Sequence, residues 1–115
     1  MGAFTSGIVV LIPFPFSDLS QSKVRPALIL AETKQNEYVL CQITSKAYSD
    51  SQAIEITNED FQNGGLKKVS YVRTSKLFTG SGELFLSQAG ELSNIKFNLI
   101  IDQIIQMFSS EKRKS

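Results

Sequence analysis

An arginine at the start of an apolar segment is the first residue whose placement points to chemistry. Arg25 immediately precedes Pro26, and because a proline forces extended backbone on the residue before it, the direction of Arg25 is fixed. A guanidinium held in this way can present its planar fork to a phosphate. Position alone favours the ordinary alternative, an exposed arginine in a surface ion pair.

Two hydroxyl residues, Thr44 and Ser45, end the apolar segment that begins at Tyr38. This placement predicts hydroxyls at the rim of a sheet, where loops build binding sites. Such a hydroxyl can bond a phosphate oxygen or position a reacting ribose. Spacing alone favours the alternative, a hydroxyl that closes the strand in a local turn with its own backbone.

A basic stretch follows at residues 67–76, where cations and hydroxyls are interleaved with one aromatic residue, Tyr71. This composition is typical of a groove that tracks phosphates and stacks a base. On a strand, Lys68 and Ser70 share one face while Tyr71 and Arg73 share the other, so both faces cannot line one groove. A solvated strand edge explains the pattern equally well. The candidate substrate-binding residues are Ser45, Lys68, Ser70, Arg73 and Lys76.

Histidine is absent from the 115 residues, and the formal net charge is only +1. A nuclease with paired histidines is therefore excluded, and a zinc site would have to rely on one cysteine and carboxylates. We expect no metal and no cofactor, with any catalysis carried by Arg, Lys, Ser, Thr, Tyr or carboxylates. Because the net charge is small, a nucleic-acid partner has to be argued from where the basic residues lie.

Length and cysteine usage predict one domain over residues 1–115, with residues 110–115 as a frayed tail. The lone Cys41 excludes an intramolecular disulfide and is typical of a reducing compartment, so we expect a cytoplasmic protein. No apolar stretch approaches the ~20 residues of a membrane helix. The N-terminus also lacks the features of a signal peptide.

Short apolar segments separated by polar turns predict a sheet of short strands. A polar segment at residues 32–37 is expected to connect a hairpin, and Asn63-Gly64-Gly65 to form a turn. The predicted strands cover residues 7–16, 26–31, 38–44, 53–56, 69–78 and, more weakly, 83–87.

The spacing of apolar residues changes to a helical period after Leu92. Ser93 can cap this helix, and Leu92 with Phe97 can form a hydrophobic staple. A helix with one apolar face needs a sheet to cover. The sequence therefore predicts a mainly β fold, a small curved barrel or sandwich closed by one C-terminal α-helix.

Four segments of the chain, taken together and in order, carry a family likeness. They are GIVVLIPFPFSDLS at residues 7–20, KVRPALIL at 23–30, CQITS at 41–45 and GGLKKVSYVRTSKLF at 64–78. These segments resemble the MazF/PemK family of type II toxin-antitoxin toxins. The Arg-Pro pair followed by an apolar strand, and then an Ile-Thr pair, is the most specific part of the likeness.

The resemblance implies an SH3-like barrel of about five to seven short strands, a two-fold dimer, and metal-independent cleavage of single-stranded RNA. In the family's reaction a ribose 2′-hydroxyl attacks the adjacent phosphate and leaves a cyclic phosphate. By position, the resemblance assigns catalytic roles to Arg25, which would stabilise charge on the transition state, and to Thr44, which would bind the phosphate or orient the 2′-hydroxyl.

Acidic residues differ from the family's pattern at two places. Ile8 stands where an acidic residue usually follows the first strand's glycine, and Ser20 and Gln21 stand in the loop before the Arg-Pro pair. Asp18 is the nearest candidate carboxylate in sequence, so either the proton is taken by another route or this member is slow, altered in specificity or inactive.

The partners that the resemblance implies are single-stranded RNA and a cognate antitoxin, whose disordered tail would fold into the groove. Operator DNA would be reached only through the antitoxin. A rival interpretation is a non-enzymatic barrel that binds a protein target, as a gyrase poison does, or nucleic acid. Fold alone does not separate the two, because function depends on the site.

Overall fold

An antiparallel sheet of seven strands is the main element of a computed structural model, which describes residues 4–15, 22–46 and 50–114. The order of strands across the sheet is β4-β6-β3-β2-β1-β7-β5. Within the described residues one α-helix, α1, follows the strands, so the predicted mainly β fold with a C-terminal helix is confirmed. The elements are β1 (Ile8–Pro15), β2 (Ser22–Lys34), β3 (Glu37–Thr44), β4 (Ile54–Ile56), β5 (Phe61–Gly64), β6 (Ser70–Ser81), β7 (Ser87–Leu92) and α1 (Asn94–Ser109).

The sheet buries apolar side chains on both of its faces, because successive residues of a strand point to opposite sides. On one face, Ile43 and Val72 join a core that is covered by Ile100 of α1. On the other face, Ile12 and Ala27 belong to a second core, against which four phenylalanines pack. Below, these are called the helix face and the open face.

Helix α1 begins as predicted. The Ser93 side chain accepts a hydrogen bond from the Lys96 backbone N–H at 3.3 Å, which satisfies one of the N–H groups that a helix start leaves without a partner. Leu92 is buried and Phe97 packs against the same core. Among the described residues, no helix has the length and hydropathy needed to span a membrane.

The polar segment at residues 32–37 connects β2 and β3 in a hairpin, as predicted. The connection is shorter than the segment, because β2 continues to Lys34 and the turn falls at Gln35 and Asn36. Asn36 adopts φ +58°, a conformation that asparagine tolerates. The prediction of a weak strand at residues 83–87 is wrong. Gly82–Leu84 forms a 3-10 turn, and pairing with β1 begins only at Ser87.

The close approach of β5 and β7 depends on two glycines. Gly64 has φ +67°, and a Cβ there would collide with the backbone oxygen of Ala89. A Cβ on Gly90 would lie 2.6 Å from the backbone oxygen of Asn63. Because neither position has room for a side chain, this joint fixes where the chain leaves β5 towards the basic stretch.

Several residues of the sequence predictions lie outside the described part of the chain. These are Asp18, Ser20 and Gln21 in the connection from β1 to β2, and residues 47–49 in the loop that follows β3.

Candidate functional site

A cleft of about 490 Å³ opens beside the ends of β2, β3 and β6. It brings together five of the seven candidate residues, which are Arg25, Thr44, Ser45, Lys68 and Ser70. The rest of the described lining is Leu11, Lys23, Val24, Pro26, Ile43, Gly65, Leu66, Lys67 and Ala89.

The charge of this cleft is positive. Its described lining holds four cations, Lys23, Arg25, Lys67 and Lys68, and no carboxylate. Such a concave surface concentrates positive potential and attracts anions. The overall charge of +1 hides this local excess.

Arg25 is held at the border of the cleft by its strand. It pairs with Ile12 of β1, so its side chain lies on the open face. The last aligned pair of β2 and β3 is Ala27 with Gln42. Because the two strands are antiparallel, continuing this alignment by two residues places Arg25 opposite Thr44. The Nε atom of Arg25 is buried, although the residue as a whole is half-buried.

The hydroxyl of Thr44 closes a local turn. Its Oγ1 accepts a hydrogen bond from the backbone N–H of Lys46 at 3.0 Å and donates one to the Lys46 carbonyl oxygen at 3.1 Å. This is the turn that spacing alone favoured. A hydroxyl has one proton and two lone pairs, so one lone pair of Thr44 remains for a ligand.

Arg73 lies outside the cleft lining. Its Nε donates a hydrogen bond to Oδ2 of Asp50 at 2.8 Å, and the two side chains form an ion pair. The hydrogen bond from Arg73 lowers the pKa of the Asp50 carboxyl. The charge of Lys76 acts in the same direction, and this residue too is absent from the described lining.

A second set of polar contacts, which sequence reasoning missed, joins the loop before β4 to helix α1. Thr74 donates from its hydroxyl to the Gln52 carbonyl oxygen at 3.3 Å. The Gln103 side-chain amide donates to the Thr74 hydroxyl at 3.0 Å and to the same carbonyl. With the Asp50–Arg73 pair, these contacts form what we call the clamp. Its partners are 22 to 51 residues apart, so no local pattern could reveal them.

The two faces of β6 separate as its sequence predicts. Ser70 and Val72 are buried, while Tyr71 and Arg73 are half-buried on the opposite side. The Ser70 hydroxyl donates to the carbonyl oxygen of Lys68 at 2.9 Å, which shapes the cleft wall. Lys68 itself is exposed.

Cys41 has no place in this site. It is buried in the core of the helix face, and burial raises the pKa of its thiol to about 12. A thiol that stays protonated is a poor nucleophile and a poor metal ligand. Among the described residues, no group of three Cys, Asp or Glu side chains is placed to hold a metal ion.

Comparison with known protein families bears on this arrangement. The model of the family described as PemK-like, MazF-like toxins of type II toxin-antitoxin systems matches residues 5–108. The chain belongs to this family. Among curated proteins, none matches the sequence.

Solved structures of MazF proteins share the fold. The MazE–MazF complex of Deinococcus radiodurans superposes with a TM-score of 0.73 at 15% identity, covering 95% of this chain and 98% of the other. An endoribonuclease from a mycobacterial species gives 0.70 at 16% identity, with 98% of each chain covered. A mycobacterial endoribonuclease solved with its cognate antitoxin gives 0.71 at 16% identity, covering 96% of this chain and all of the other. At these identities the likeness establishes the fold.

Proposed function

We propose that this MazF-family protein is an endoribonuclease that cuts single-stranded RNA without a metal. The 2′-hydroxyl of a ribose would give up its proton to solvent and attack the adjacent phosphate, forming a new P–O bond to give a cyclic phosphate. The bond to the 5′-oxygen of the next nucleotide breaks, and that oxygen leaves as a hydroxyl after taking up a proton. Endoribonucleases among the structural neighbours support this proposal.

The observation that carries the proposal is the cationic cleft. Four cations and no carboxylate in its described lining suit a polyanion, and Arg25 and Thr44 occupy the positions that the family resemblance assigns to catalysis. The lysines Lys23, Lys67 and Lys68 would bind flanking phosphates, and Ser45 and Ser70 shape the wall between them.

Arg25 would stabilise the transition state. Negative charge builds on the phosphate oxygens as the 2′-oxygen attacks, and a guanidinium already fixed by its strand needs little rearrangement to meet that charge. The Nε atom at the base of the guanidinium is buried, so the terminal nitrogens of the fork would be the ones that meet the phosphate.

Thr44 would orient the attacking hydroxyl. The Thr44 hydroxyl donates its proton to the Lys46 carbonyl oxygen, and one of its lone pairs accepts a hydrogen bond from the Lys46 N–H. The second lone pair can therefore accept a hydrogen bond from a ligand. The 2′-hydroxyl of a ribose is a donor of that bond, whereas a phosphate oxygen is not. Thr44 therefore suits the 2′-hydroxyl better than the phosphate, and its role would be positioning.

The remaining parts of the proposal follow from family membership. We propose a cytoplasmic homodimer that a cognate antitoxin inhibits, with operator DNA contacted only through that antitoxin. The neighbours solved with MazE or with a cognate antitoxin support the protein partner.

The test is cleavage of a long single-stranded RNA in EDTA by the wild-type protein and two variants. Arg25→Ala should lower the rate about 10²- to 10³-fold, the usual effect of removing one preorganised donor. Thr44→Val should lower it by on the order of tenfold or more through misplacement of the 2′-hydroxyl, and Thr44→Ser should retain most activity.

Lys34→Ala is the control, because Lys34 is an exposed cation at the opposite end of β2. It should cut at the wild-type rate. RNA left intact by the wild-type protein, or an Arg25→Ala variant as fast as wild type, would show that the proposal is wrong.

A further inference from the structure

A row of four side chains crosses four neighbouring strands beside the cleft. Thr44 of β3 pairs with Tyr71 of β6, and Tyr71 pairs with Glu55 of β4 on its other side. Arg25 continues the row into β2, opposite Thr44. Residues directly opposite each other in adjacent strands point to the same face with Cβ atoms about 5 Å apart. We call this set the polar row.

The row is accessible on the open face. The next row along the same strands, Ile43, Val72 and Ile54, is buried in the core beneath α1. The polar row therefore points away from α1. Glu55 is exposed and Tyr71 is half-buried.

The side chains at the Glu55 end of the row have few contacts within the described residues. There, no hydrogen bond or ion pair engages the Glu55 carboxylate, and Lys96 bonds only its backbone oxygen. The ring of Tyr71 makes no aromatic contact within the described part of the chain. No polar or aromatic contact of a described residue therefore competes with a ligand for these two side chains.

The chemistry of the row changes in order from a cation to a hydroxyl, an aromatic ring and a carboxylate. The parts of one ribonucleotide follow the same order, from the phosphate through the ribose hydroxyl to the face of the base and its hydrogen-bonding edge. We propose that the polar row binds one nucleotide of the RNA, with Tyr71 stacked on its base and Glu55 accepting hydrogen bonds from the base edge. This inference rests on the proposed function.

Charge fixes the direction in which the nucleotide lies. The strands of Arg25 and Glu55 are three spacings apart, roughly 14 Å at about 4.8 Å each. A phosphate is attracted to Arg25 and repelled by Glu55, so the base must lie towards the carboxylate. A protein segment has no reason to match this order, which is why RNA is the occupant that the row favours.

Glu55 also predicts which base is preferred. A carboxylate has two acceptor oxygens and no proton to donate at neutral pH. Of the four bases, only guanine offers two adjacent N–H donors, N1–H and N2–H, on its Watson–Crick edge. Single-stranded RNA presents that edge to protein side chains. We therefore expect guanine at the nucleotide next to the cleaved phosphate.

The experiment measures binding of short 2′-fluoro oligonucleotides, which lack the attacking hydroxyl and cannot be cut. Fluorescence anisotropy would compare oligouridine with the same strand carrying one central guanine, adenine, cytosine or inosine. Wild type should bind the guanine strand several-fold more tightly than oligouridine. Inosine lacks the N2 amino group and should lose most of that gain.

Variants separate the two residues. Tyr71→Leu should weaken binding of every strand by on the order of tenfold, while Tyr71→Phe keeps the ring and should bind like wild type. Glu55→Gln should remove the preference for guanine without weakening binding of oligouridine. Glu83→Gln, which removes a different exposed carboxylate, should retain the preference.

Unchanged affinity in Tyr71→Leu, or an undiminished guanine preference in Glu55→Gln, overturns the assignment of that residue. Measuring RNA cleavage in EDTA with the same variants distinguishes failure of this inference from failure of the proposed function. If the wild-type protein cuts RNA but the variants bind and cut as it does, the polar row is wrong and the nuclease stands. If the variants behave as expected but no RNA is cut, the nuclease is wrong and the row remains an RNA-binding site.

Discussion

Two arginines of this protein, Arg25 and Arg73, lie on the same face of one sheet in opposite surroundings. Arg25 borders a cleft whose described lining holds three further cations and no carboxylate. Arg73 is bound to Asp50, whose side chain is only 10% exposed. The residue type and the face are shared, so the difference lies in the neighbouring loop. The carboxylate of Asp50 makes Arg73 part of the clamp, whereas Arg25 is one of the four cations in the described lining of the cleft.

The largest expected contrast is between the two alanine variants of these arginines. Arg25→Ala should lose about 10²- to 10³-fold in RNA cleavage and little stability. Arg73→Ala should stay within about tenfold of the wild-type rate but unfold more readily, because it leaves the carboxylate of Asp50 without its partner. Cleavage rates and urea unfolding of both variants check the contrast. Equal losses of activity would mean that Arg73 also belongs to the active site.

The next effect is the pH dependence of the clamp. Because Arg73 lowers the pKa of Asp50 in the folded protein, the pair stabilises the fold above the unfolded pKa, about 3.9, and this stability is lost as the pH falls through the lower folded value. Asp50→Asn should cost about 1 kcal/mol at pH 6, since the pair is partly exposed. Urea unfolding from pH 6 to pH 3 should show the gap to wild type closing. A gap that widens towards acid contradicts this account.

The smallest expected effect concerns the contact between the clamp and the helix. Gln103→Ala removes two hydrogen bonds, one to the Gln52 carbonyl and one to the Thr74 hydroxyl, and should cost about 1 kcal/mol or less. Gln106→Ala is a matched control on the exposed side of α1. RNA cleavage should be unchanged in both, and thermal unfolding should distinguish them. A large loss of activity in Gln103→Ala would show that the clamp controls the cleft.

Sequence patterns predicted the elements whose stability is local. The β-branched run of β1, the alternation of β4 and the serine cap of α1 each carry their own signal. Strands β5 and β7 were missed because FQNG and SQAGEL are largely polar, and they become strands only by pairing with each other and with β1. For these two strands, tertiary pairing outweighs local propensity.

The candidate site shows the same division. Position at the end of an apolar strand favoured ordinary roles for Arg25 and Thr44, and only the family resemblance carried by the Arg-Pro and Ile-Thr pairs makes them candidates. Asp50 has no such signal, since its partner Arg73 is 23 residues away. The polar row is visible only in the register, because a bulge between β3 and β6 shifts the alignment of their residues.

The close contact at Gly64 and Gly90 distinguishes positions that tolerate substitution from positions that do not. The segment that carries Lys67 and Lys68 follows Gly64 directly and forms one wall of the cleft. Both lysines are exposed. Under the proposed function, substitutions among the lysines would therefore change recognition of RNA while the backbone path stays in place. Substitution of either glycine would redirect the whole wall at once. Selection can thus diversify specificity one side chain at a time without endangering the fold.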